Sequence, residues 1–79
     1  MDVDELVRGL NEGQKRALIG LSDQFSKPPR GTAYWAGSLL YGERLTKFRY
    51  ADALAGQRLY CLTETGLAVR ARLLEQDHG

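Results

Sequence analysis

Val3, Leu6, Val7 and Leu10 recur at i, i+3, i+4 and i+7, the spacing that lines one stripe of a helix, and Asp2 stands where it can cap the first turn. Asn11-Glu12-Gly13-Gln14 reads as a break and a restart, with Asn11 as N-cap and Gln14 at the third position of a capping box. The second helix is predicted to run to about Phe25, burying Ala17, Leu18, Leu21 and Phe25 and leaving Lys15, Arg16 and Asp23 in solvent. Lys27-Pro28-Pro29-Arg30-Gly31 ends it, because proline lacks the N–H and restricts the residue before it. A third helix is predicted from Thr32 to about Arg44. Trp35, Ala36, Leu39 and Leu40 form its core side, and Tyr34, Ser38 and Tyr41 form the other side.

The period then changes from helical to alternating. Leu45 to Tyr50 puts Lys47 and Arg49 on one face and Phe48 and Tyr50 on the other. Arg58 to Leu62 is a second strand, with Leu59 and Cys61 opposite Arg58, Tyr60 and Leu62. Pairing across residues 51–57 predicts a basic β-hairpin with a loop longer than the tightest turns. Thr63 is a suitable N-cap for a last helix, and Glu64 in its first turn complements the helix dipole. Gly66 costs helix propensity, which points to close approach by another element. On this helix Val69 and Leu73 form one apolar stripe and Leu67, Ala71 and Leu74 a neighbouring one. The arc is wide enough for a partner helix to cover, so Leu67, Ala71 and Leu74 are the candidate dimer interface. The tail is expected to fray from about Glu75 to Gly79.

The fold class is therefore mainly α with a β-hairpin wing, in the order α-α-α-β-β-α, as one domain over residues 1–79. With 79 residues and 43% hydrophobic content the chain has room for one thin core. Lacking a long apolar run and starting Met1-Asp2-Val3-Asp4-Glu5, it is expected to be cytoplasmic with no membrane span. Cys61 is the only cysteine and falls in the strand alternation, which reads as a buried thiol. The single histidine, His78, lies in the tail, so no metal, cofactor or enzyme activity is expected.

A net charge of +1 conceals an uneven distribution. From Met1 to Ser26 acidic residues outnumber basic ones. From Lys27 to Tyr60 the basic residues Lys27, Arg30, Arg44, Lys47, Arg49 and Arg58 face only Glu43 and Asp52.

The run Leu62-Thr63-Glu64-Thr65-Gly66-Leu67-Ala68-Val69, following the predicted hairpin, resembles the close of a winged helix-turn-helix domain of the MarR and PadR regulator types. Leu10 to Leu18 and Gly66 to Arg70 look similar to small phage or prophage proteins of that fold. The resemblance implies a winged helix-turn-helix that presents its third helix and wing to duplex DNA. Lys47, Arg49 and Arg58 would then contact phosphate and the minor groove from the wing, and any direct recognition of guanine from the third-helix face would come from Arg30 or Arg44. Tyr34, Ser38 and Tyr41 would enter the major groove while Lys27 and Arg30 fix the backbone. A solvated, edge-protecting hairpin face is the alternative for the wing cations. For the tyrosines the alternative is packing against the wing or first helix, and this is the reading favoured for Tyr41. Two functions stay open: a dimeric DNA-binding transcriptional regulator, and a phage-type adaptor or inhibitor that binds a host transcription or defence protein through the aromatic face.

Overall fold

The computed structural model describes residues 2–52 and 56–76. Its elements follow the order α1 (Val3–Arg8), α2 (Glu12–Gly20), α3 (Ala33–Ser38), β1 (Thr46–Tyr50), β2 (Arg58–Leu62) and α4 (Glu64–Gln76). The helix starts lie where local chemistry places them. Asp2 accepts from the Asp4 N–H at 3.0 Å. Asn11 and Gln14 close both halves of the capping box at 2.8 and 3.0 Å. Thr63 accepts from the Gly66 N–H at 3.1 Å while its own hydroxyl donates to the Arg44 carbonyl at 2.7 Å, which ties the start of α4 to the approach to β1.

Two helices are shorter than the apolar spacing predicts. α2 ends at Gly20, and Leu21 turns extended at φ −109°, ψ 162°. The five residues expected to continue it run instead along the free edge of β2. Ser26 and Tyr60 exchange backbone hydrogen bonds of 3.0 and 2.8 Å, and the Leu62 N–H donates to the Ser22 carbonyl at 2.7 Å. A buried strand edge must have its N–H and C=O groups met, and this segment meets them. Leu21 still enters the core as predicted, but Phe25 is only half-buried. α3 covers Ala33–Ser38 rather than Thr32 to Arg44, since the chain then tightens through turns in which Gly42 (φ 65°) and Arg44 (φ 52°) adopt the left-handed conformation. Glu75 and Gln76, expected to fray, close α4; residues 77–79 of the predicted tail, and with them His78, lie outside the described residues.

The strands pair antiparallel with Lys47 opposite Cys61, Phe48 opposite Tyr60, Arg49 opposite Leu59 and Tyr50 opposite Arg58. The predicted loop at 51–57 is closed by the Ala51 N–H donating to the Gln57 carbonyl at 2.8 Å, and its residues 53–55 are outside the described ones. One core joins Val7, Leu18, Leu21, Ala36, Leu39, Leu45, Leu62, Val69 and Leu73, so the five elements other than β1 meet on common ground. Trp35 packs at its margin, where the absence of a side chain on Gly13 leaves room for the indole against α2. Gly66 has the role read for it: a Cβ there would run into the Leu45 carbonyl oxygen. Cys61 is fully buried, and burial is the main cause that pushes its thiol pKa up, with Lys47 pulling partly the other way.

Candidate nucleic-acid interface

The hairpin and α3 enclose a shallow surface whose parts can be traced by shared residues. One depression between α3 and β2 is lined by Tyr34, Tyr41, Arg58 and Tyr60 among others. A second continues past Arg58 and Tyr60 to Lys27 and Arg30. A third continues past Leu40 and Tyr41 to Arg44, Lys47 and Phe48. Arg58 thus sits centrally, with a cationic pair toward either end. Among the described residues no carboxylate lines any of the three; Glu43 borders only the adjoining pocket on the α1 side of Tyr41.

The β-ladder decides which cations face this surface. The register sets Arg58 beside Tyr50 and Phe48, with its guanidinium 4.6 Å from the centre of the Phe48 ring. Tyr60 foremost, and then Tyr50, hold its pKa above the ordinary arginine value. Arg49 alternates to the opposite face and lies 5.2 Å over the ring of Phe25. The three wing cations grouped by sequence are therefore split between two faces. Lys47 shares Arg49's alternation yet still borders the depression at its edge with Phe48. Arg49 is the one member of the candidate set that does not reach this surface among the described residues.

On α3 and in the turn that follows it, the tyrosines project. Tyr34 is 76% and Tyr41 79% exposed, which overturns the packed reading of Tyr41. Tyr34 meets Trp35 edge to face at 4.9 Å, which fixes its ring against the core-packed indole. Ser38 behaves differently from its neighbours: its hydroxyl donates to the Trp35 carbonyl at 2.8 Å and accepts from Gln14 Nε2 at 3.3 Å. Those bonds make Ser38 a link between α2 and α3, so it is not a free reading group.

Sequence reasoning did not enlist Phe48, Tyr50 and Tyr60 for this surface. Tyr50 is 51% and Phe48 38% exposed, and Tyr60 is the buried floor between α3 and β2. The signal was present in the alternation of Phe48 and Tyr50, but only the register shows that Arg58 stands among them.

The charges on α4 are used otherwise. Arg72 pairs with Asp4 at 2.7 Å and Glu75 at 2.9 Å, and Arg70 donates to the Ile19 carbonyl at 3.3 Å. None of the salt bridges among the described residues involves Lys27, Arg30, Arg44, Lys47, Arg49 or Arg58. Of the residues read as a dimer interface, Leu67 and Ala71 are exposed and Leu74 is half-buried. Among the described residues no cluster of histidine, cysteine or carboxylate side chains could hold a metal ion, and no helix is long and apolar enough to cross a membrane. No protein family, curated protein or solved structure matches the chain.

Proposed function

We propose that this chain is a small DNA-binding regulator of winged helix-turn-helix type that contacts DNA with the surface formed by α3, the hairpin and the Lys27–Arg30 segment. The supporting observation is that five cations, Lys27, Arg30, Arg44, Lys47 and Arg58, border connected depressions that no carboxylate among the described residues lines. Cations that no salt bridge among the described residues engages attract phosphates, and the release of counterions from DNA supplies the affinity. Cytoplasmic action on phage or host DNA follows from this reading. The exposed Leu67 and Ala71 with half-buried Leu74 on α4 offer a stripe for a second copy, and two copies would match a palindromic site.

Fluorescence anisotropy with a labelled random-sequence duplex tests the proposal. If the five cations each meet a phosphate, affinity falls by on the order of several hundred-fold between roughly 50 and 200 mM salt. Arg30→Ala with Arg58→Ala weakens binding, and Arg49→Ala, on the other face, leaves it nearly unchanged. Absence of binding at the lower salt refutes the proposal.

A second reading is favoured by one observation, the exposure of Tyr34 and Tyr41, since aromatic side chains of this kind anchor protein interfaces. On that reading the chain is a phage-type adaptor for a host transcription or defence protein. The two separate in the same titration, because an adaptor has no salt-dependent affinity for DNA.

A further inference from the structure

Resting on the reading of this surface as a DNA interface, we infer that its ligand is DNA with unpaired bases, a single strand or a melted stretch within a duplex, in preference to an intact double helix. The first observation is what α3 lacks. It is six residues long, and of the outward groups on it and on the turn that follows, Ser38 is engaged with Trp35 and Gln14. Tyr34 and Tyr41 remain, and neither offers the bidentate donor or acceptor pair that reads a base edge in the major groove.

The second observation is what the surface supplies instead. Tyr34, Tyr41 and Phe48, all exposed large rings, line the connected depressions, and the exposed Tyr50 stands beside them, opposite Arg58 in the ladder and edge to face with Phe48 at 5.7 Å. An aromatic face stacks on any base whose own face is bare, whatever its identity. Within an intact duplex those faces are covered by neighbouring bases, so exposed rings gain little there.

The third observation is the arrangement of charge. Lys27 and Arg30 lie toward one end, Arg44 and Lys47 toward the other, and Arg58 between them lies over the Phe48 ring. A flexible strand can lay its phosphates along these cations and turn its bases onto the rings. Cations that follow the backbone beside rings that take bases are the combination single strands require. Because stacking is tolerant of base identity, the preference is for unpaired DNA over paired DNA and not for one sequence.

Three labelled probes of equal length and matching sequence test the inference: an intact duplex, the same duplex with a central mismatched bubble, and the single strand. The bubble and the single strand are expected to bind about ten-fold tighter than the intact duplex, the gain that one or two stacked bases provide. Tyr34→Leu combined with Tyr50→Leu keeps apolar bulk but removes two rings. It should abolish that gain, lowering single-strand and bubble affinity to the level of the intact duplex, and leave the melting curve close to that of the parent chain. Trp35, the only tryptophan and in contact with Tyr34, should change its emission on titration with the single strand but not with the duplex. Equal affinity for all three probes, or a gain that survives the double substitution, overturns the inference and leaves the DNA interface standing. Binding to none of them at low salt overturns both.

Discussion

On α4, arginine charge is consumed by the fold, whereas around α3 and the hairpin it is held out of it. Arg72 bridges to Asp4 of α1 and to Glu75, and Arg70 is bonded to the backbone at the end of α2, so both arginines of the last helix fasten it to the first two. Lys27, Arg30, Arg44, Lys47 and Arg58 border a surface that no carboxylate among the described residues lines, and Arg58 lies over an aromatic ring. Arg8 and Arg16 are also exposed, but they belong to the segment where acidic residues are in excess. The difference teaches that the net charge of +1 is a poor guide to this molecule. What matters is which cations have had their field cancelled at short range.

Three substitutions break or sharpen that contrast. Gly66→Ala acts at the seam, where α4 begins against Leu45 and so next to Arg44. The added methyl meets a backbone carbonyl that cannot turn aside, and the clash outweighs the helix propensity gained. A net loss of about 3 kcal/mol in a urea titration is expected. A loss near zero would mean that the two regions are not braced against each other there.

Arg44→Gly has opposite effects on stability and on binding. Its φ of 52° is comfortable for glycine and strained for arginine, so stability should rise by about 0.5 to 1 kcal/mol. Binding to DNA should weaken, and the slope of affinity against salt should fall by about one phosphate contact. Were stability to drop instead, Arg44 would belong with the arginines that hold the fold together.

Arg72→Ala is expected to have the smallest effect. Its two ion pairs are exposed to solvent, and such pairs contribute little. Melting temperature should fall slightly, the difference from the parent should shrink as salt is raised, and DNA affinity should not change. A marked loss of DNA affinity would place α4 in the interface and dissolve the contrast.

Much of this was legible in the chain itself because the signals act over a few residues. Asp2, the Asn11–Gln14 box and Thr63 fix helix starts through hydrogen bonds that span two or three residues, and the alternation from Thr46 to Tyr50 sets faces whatever the partner strand. Gly66 was readable as a point of close approach, though not what approaches it. The end of α2 was not readable. Leu21 and Phe25 keep helical phase with Leu18, and nothing local competes with that pattern. The edge of β2, more than thirty residues away, makes Ser22 to Ser26 more useful extended than coiled.

The sequence by itself determined the inventory: four helices and a hairpin in order, an apolar face for each, and an excess of cations in the middle third. Its authority came from hydrogen bonds and periodicities that a short peptide already contains. Tertiary structure alone decided the company those cations keep. Register set Arg58 among rings and turned Arg49 toward Phe25, while packing engaged Ser38 and left Tyr41 bare. Charge and stacking act through space over a few ångströms, and residues distant along the chain come within that range only when the core closes.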